Sequence, residues 1–195
     1  HGVTPREPWA YSRYAVSVYK FYAWLRENLL KYSVHTAEEA HKTGIPMMRP
    51  LPMVFPEDKE AVYWEDEYFY GSDLLVAPVH QEGEKRRIYF PSGSWINLLD
   101  FRKMVGGNRI FQVDVPIDKI PVYIREGACI LSVMNGELQL GQSMTYEKKN
   151  TVLMSRALNE TSGKRYADEK EIEYNILGQT GEDFFMLRHA SETEF

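Results

Sequence analysis

Gly44-Ile-Pro-Met-Met-Arg-Pro-Leu51 is the stretch on which the fold turns. Upstream of it, apolar residues recur at helical spacing; downstream, they fall into short runs separated by glycine and proline. Gly44 and Pro46 are residues that end a helix, glycine because it accepts a left-handed backbone and proline because it has no N–H to donate. Met47, Met48, Leu51, Met53, Val54 and Phe55 then make a nearly continuous apolar run, broken by Arg49. Such a run is either a strand buried on both faces or a short core helix. Pro46, Pro50 and Pro52 speak against a regular helix, so a buried strand is expected. Arg49 inside that strand needs a partner or a wet cavity, because an unpaired buried charge is costly. A structural ion pair is the expected role, with a site-facing position as the alternative.

Toward the N terminus, His1-Gly-Val-Thr-Pro-Arg-Glu-Pro-Trp9 reads as a loop from its glycine and prolines. Tyr11, Tyr14, Ala15, Val18, Tyr22, Leu25 and Leu29 mark one stripe of an amphipathic helix. The stripe continues through Val34, Ala37 and Ala40, which predicts one helix up to Lys42, although Thr36-Ala-Glu-Glu39 has the form of a capping box that could start a second.

Toward the C terminus, residues 60–64 suggest a short helix, and Leu74-Leu-Val-Ala-Pro-Val79 a second buried strand. The aromatic patch Tyr63, Trp64, Tyr68, Phe69 and Tyr70 could line a sugar site, but core packing claims aromatic rings more often. After His80 the texture changes. Arg87-Ile-Tyr-Phe90 and Ser94-Trp-Ile-Asn97 flank the turn Pro91-Ser-Gly93 and read as a hairpin. Phe111, Val113 and Val115 alternate with polar residues, as a half-buried strand does, and Ile120, Val122 and Ile124 do the same around Tyr123. Short strands punctuated this evenly predict an antiparallel sandwich. The final residues are more polar, yet Leu138 with Leu140, and residues 152–158, 172–176 and 184–187, suggest further strands.

Composition excludes several classes of function. The net charge of −5 argues against nucleic acid or an anionic membrane as partner. No apolar run approaches the roughly 18 residues of a membrane-spanning helix. Cys129 is the single cysteine, so no internal disulfide can form, and its apolar neighbours mark it as a core residue. There is no glycine-rich phosphate loop, no His-Glu-x-x-His and no cysteine pair, so no cofactor and no metal site are expected. Glu57-Asp58 and Glu65-Asp66 lie in turns and read as solvated, with a catalytic role as the alternative. The chain opens on His1 without a signal-like n-region or h-region, which favours the cytoplasm and suggests a piece of something longer.

An ordered series of motifs adds to this. It runs His1-Gly, Pro5-Arg-Glu-Pro-Trp9, Glu39-Ala-His41 with the Gly44 stretch, and Phe55-Pro-Glu-Asp58. Tyr70-Gly71-Ser-Asp73-Leu-Leu-Val-Ala-Pro-Val79, Tyr89-Phe-Pro91-Ser-Gly93-Ser-Trp95 and Pro116-Ile-Asp-Lys-Ile-Pro-Val-Tyr-Ile-Arg-Glu-Gly127 complete it. The series, over residues 1 to 133, resembles family 31 glycoside hydrolases, the α-glucosidases and α-xylosidases. The resemblance implies α/β plus all-β architecture: the C-terminal end of a (β/α)8 barrel in residues 1–79, a proximal β-sandwich in 80–133, and a distal β-rich region in 134–195. On that basis the Gly44 stretch is the barrel's last strand. A retaining α-glycosidase needs two carboxyl groups about 5–5.5 Å apart. The resemblance places both, as aspartates, upstream of this chain, and Asp58, Asp66 and Asp73 match positions outside the pair. The chain alone is then expected to be inactive. His1 matches a histidine that hydrogen-bonds the sugar, and Arg6 and Trp9 are supporting candidates. The implied partners are an oligosaccharide or glycoside and the upstream barrel portion. The alternative is a non-catalytic carbohydrate-binding or scaffold module.

Overall fold

A computed structural model of the protein describes residues 2, 4–81, 83–99, 103–134, 139–143, 150–155, 161–167, 170–176 and 185–187. Two helices come first, α1 (Arg13–Asn28) and α2 (Leu30–Thr43), so the single predicted helix is interrupted at Leu29. Ser12 caps α1, its hydroxyl accepting the Ala15 N–H at 3.0 Å. Thr36 is not a cap but lies inside α2. Gly44 ends α2 as expected, with φ of 77° and its N–H donating to the Ala40 carbonyl.

The Gly44 stretch departs from the expectation. It contains a three-residue strand, β1 (Met48–Pro50), followed at once by a single helical turn, α3 (Leu51–Val54). Pro50 and Pro52 do not prevent that turn, because the first positions of a helix have no intrahelical use for an N–H. Nor is β1 a parallel barrel strand. It pairs antiparallel with β2 (Tyr68–Tyr70), which pairs antiparallel with β3 (Leu74–Val76).

The later strands are β4 (Lys85–Phe90), β5 (Ser94–Asn97), β6 (Lys103–Val105), β7 (Arg109–Asp114), β8 (Val122–Arg125) and β9 (Cys129–Met134). The main sheet has the order β1-β2-β3-β8-β5-β6, and β4 pairs with β7 in a separate ribbon. The predicted hairpin of β4 with β5 is therefore an arch: the chain leaves one layer at Pro91 and enters the other. Gly93, at φ 111°, and the Trp95 Nε1–H donating to the Pro91 carbonyl at 3.0 Å fix that corner. The expected division after residue 79 falls between β3 and β4, and the β3–β8 pairing carries one sheet across it.

Alternate residues of the main sheet enter two cores. Leu74, Val76, Ile96, Val122 and Ile124 face one side, packing with Tyr32 of α2 and with Ile130 of β9. Leu75, Trp95, Tyr123 and Phe69 face the other, against Ile88 and Phe90 of the ribbon. The sheet is thus sandwiched between helices and the β4–β7 ribbon, and β8 is buried on both faces rather than on one. Cys129 is buried, as its neighbours suggested.

Beyond β9, β10 (Asn150–Ser155) pairs with β9 and with β13 (Phe185–Leu187), while β11 (Thr161–Ala167) and β12 (Lys170–Ile176) form a second ribbon. Of the strands expected in the C-terminal third, those at 152–158, 172–176 and 184–187 are present where residues are described. Of the one expected at Leu138 and Leu140, Leu140 lies in a turn and Leu138 falls outside the described residues. Residues 156–158 and 184 lie outside them as well.

Candidate functional site

Of the three residues singled out by sequence, His1 lies outside the described residues. Arg6 is exposed, and its backbone N–H donates to Glu7 Oε2 at 3.0 Å. Trp9 sits in a 3-10 turn, Pro8–Ala10, with 75% of its surface open. Both lie on the approach to α1, whose predicted apolar stripe is buried only at its far end. Of that stripe Leu25 is buried, whereas Tyr11 and Tyr14 are exposed, as is Tyr19 beside it. Tyr22 fastens the helix to the loop before β8, its hydroxyl donating to the Asp118 carbonyl (3.1 Å) and accepting the Ile120 N–H (2.7 Å). Ile117, in that loop, is 86% exposed. These aromatic and aliphatic side chains are left largely uncovered by the described residues.

Arg49 has the structural role expected of it. Its Nη2 meets Glu39 Oε2 of α2 at 2.6 Å and its Nε donates to the Pro46 carbonyl at 2.8 Å. The aspartates have structural places too. Asp58 accepts the Tyr89 hydroxyl at 2.6 Å and the Glu60 N–H at 3.1 Å. Asp73 is buried, its carbonyl accepting the Arg125 N–H and its charge acting on the Arg125 guanidinium. Burial lowers the pKa of Arg125, whose guanidinium lies over the rings of Phe55, Phe69 and Trp95 at 5.0, 5.6 and 5.6 Å.

Asp66 is not the solvated turn residue expected. It pairs with Arg86 at 3.0 Å and with His80 at 3.2 Å. Buried Arg86 also donates to the carbonyls of Pro78, Arg87 and Asp66. Beside it is Glu67, wholly buried, its Oε1 accepting the Tyr89 N–H at 3.0 Å and its Oε2 without a hydrogen bond. Burial raises its pKa to about 8 against the opposing pull of the Tyr89 N–H and Arg86. Sequence reading missed this cluster because Glu67 and Arg86 are 19 residues apart and neither follows an apolar period. Among the described residues no group of His, Cys, Asp and Glu is disposed to hold a metal ion.

Residues 44–130 match the model of the glycosyl hydrolase family 31 C-terminal domain. The chain is 32% identical over 130 residues to α-glucosidase 2 of Bacillus thermoamyloliquefaciens, covering 66% of this chain and 16% of that enzyme. It is 33% identical over 133 residues to the α-xylosidase of Saccharolobus solfataricus, covering 67% of this chain and 18% of the relative. Among solved structures, the cycloalternan-forming enzyme of Listeria monocytogenes, in complex with a pentasaccharide substrate, superposes with a TM-score of 0.84 at 26% identity, over 91% of this chain and 18% of that one. A sandwich of this topology with these motifs defines a carbohydrate-enzyme module. The chain belongs to glycoside hydrolase family 31, of which it is a C-terminal portion. It spans less than a fifth of the length of these relatives.

Proposed function

We propose that this chain is the C-terminal portion of a retaining α-glycosidase that hydrolyses terminal α-linked sugars, with both catalytic aspartates upstream. In this reading α1 and α2 are the last helical layer of a (β/α)8 barrel, the sandwich begins at Gly44, and residues 134–195 are a distal β-rich region. His1, which matches a histidine that hydrogen-bonds the sugar in this family, takes the same part in a site of the kind built at the C-terminal face of such barrels. Its imidazole suits a vicinal diol by donating from one nitrogen and accepting at the other. Arg6 and Trp9 support the loop that carries it.

The observation that carries the reading is the bare face of α1. Trp9, Tyr11, Tyr14 and Tyr19 are 58–75% exposed and Ile117 is 86% exposed. Large apolar side chains left this open on and just before one helix suit a surface that another body covers, and in this reading the upstream barrel is that body. The expected outcome of an assay on aryl α-glucoside and aryl α-xyloside is no turnover by the 195-residue chain, and turnover once the upstream portion is supplied. Turnover above background by the pure chain would show that a catalytic pair lies within it and overturn the proposal.

A further inference from the structure

The outer face of the β4–β7 ribbon carries a groove that neither the fold nor the proposed catalytic role requires. The segment 60–67 crosses this ribbon and is fastened to it by Trp64. Its indole stacks on Tyr89 with centroids 5.7 Å apart and planes at 16°, and the Arg87 guanidinium lies 5.7 Å from its ring centroid. The Trp64 Nε1–H donates to Glu60 Oε1 at 3.1 Å, which fixes the ring. Depressions open on both sides of it. One, of about 350 Å3, is lined by His80, Lys85 and Gln112, and the other, of about 470 Å3, by Glu60, Tyr63 and Ile110. Trp64, Asp66 and Arg87 line both. Each is within the ~300–1,000 Å3 of small-molecule sites.

The lining narrows the ligand class. Glu60, Glu65 and Asp66 stand against Lys85 and Arg87, and the charge of Arg86 is engaged by Asp66. This mixed-sign surface selects neither an anion nor a cation. It offers planar donors and acceptors beside an exposed ring: Arg87 and Gln112 are directly opposed in the β4–β7 register, and Tyr63 is 77% exposed. Hydroxyls that both donate and accept, next to an apolar C–H face, match that surface.

We propose that this double groove binds a neutral oligosaccharide of at least two pyranose units, Tyr63 stacking on one unit and Arg87, Gln112 and Asp66 hydrogen-bonding hydroxyls of the next. The choice of α-linked glucose as the unit rests on the proposed glycosidase reading. The test is isothermal titration and ligand-observed NMR of the 195-residue chain with maltotriose, isomaltotriose, cellotriose and glucose. The α-linked trisaccharides should bind, and more tightly than glucose. Tyr63→Ala and Gln112→Ala, both at exposed positions that folding tolerates, should each weaken binding about tenfold, while Lys20→Ala on α1 leaves it unchanged. No binding of any saccharide at about 10 mM, or full affinity in both groove variants, would overturn the proposal. Binding of cellotriose alone would uphold the groove and overturn the α-linked unit. These titrations read affinity and not turnover, so the groove and the glycosidase reading fail separately.

Discussion

Glu67→Gln should remove a pH-dependent weakness that is built into the ribbon side of the fold. Glu67 has no exposed side-chain surface, and Arg86, 3.8 Å away, already spends its hydrogen bonds on Asp66 and three carbonyls. The nearby Asp66 carboxylate adds a repulsion. Burial therefore wins, and the carboxyl holds its proton up to about pH 8, against an ordinary value of 4.5. In the unfolded chain it ionises at the ordinary value. Between the two values the native state holds the extra proton, so stability falls as pH rises. At 1.36 kcal/mol per pH unit, the loss from pH 4.5 to pH 7 is on the order of 3 kcal/mol. Below the unfolded value the term vanishes. Glutamine keeps the acceptor for the Tyr89 N–H and cannot ionise. Urea unfolding from pH 5 to pH 8 should show a declining stability in the parent chain, and a shallower decline in the variant by about one proton's worth. The variant should be the more stable at pH 8. An identical slope in both chains would assign the proton to another group. A variant destabilised at every pH would mean that Glu67 is ionised and paired with Arg86.

Two further substitutions test the joints on either side of the sheet. Gly71→Ala meets two obstacles: φ is 64°, and a Cβ there would collide with the Tyr32 hydroxyl and the Thr36 methyl. The left-handed backbone costs roughly 1–2 kcal/mol and the overpacking about 1–3 kcal/mol, so a lowered urea midpoint with near-UV circular dichroism changes at Tyr32 is expected. Unaltered stability would refute the close approach of α2 to the β2–β3 turn. Arg49→Ala leaves the Glu39 carboxylate and the Pro46 carbonyl without their donor. It should cost about 1–3 kcal/mol by chemical denaturation, and Arg49→Lys should recover only part of that because a lysine lacks the planar fork. Full recovery by lysine would reduce the role of Arg49 to its charge.

Much of the fold could be read from local signals where one rule acted alone. Gly44 stops α2, Leu74–Val76 is buried on both faces, and residues 109–114 alternate as a half-covered strand. The errors came where tertiary layering overrode the local rule. A run apolar on both faces is the mark of a parallel strand inside an α/β fold. Here it arises in an antiparallel sheet because helices cover one side and the β4–β7 ribbon the other. The same layering turned the expected β4–β5 hairpin into an arch. A turn such as Pro91-Ser-Gly93 fixes a reversal of direction, and only the partners of the two strands decide whether they lie side by side or face to face.

The candidate surfaces were less legible, for a reason that concerns parity. Tyr68, Phe69 and Tyr70 are consecutive in a strand, so they alternate between faces, and Phe69 alone enters the ribbon-side core. Tyr63 ends a 3-10 turn that precedes that strand and Trp64 caps it, so no period of two applies, and one is 77% exposed while the other stacks on Tyr89. As a run of sequence, the five rings look like one core-forming patch. Likewise α1 carries a helical stripe that looks like any core-facing stripe, yet only its end near Leu25 meets this chain's own core. Amphipathic period reports that a face must be covered and is silent on what covers it. Both surfaces proposed here, one for the upstream barrel and one for a saccharide, are of that kind.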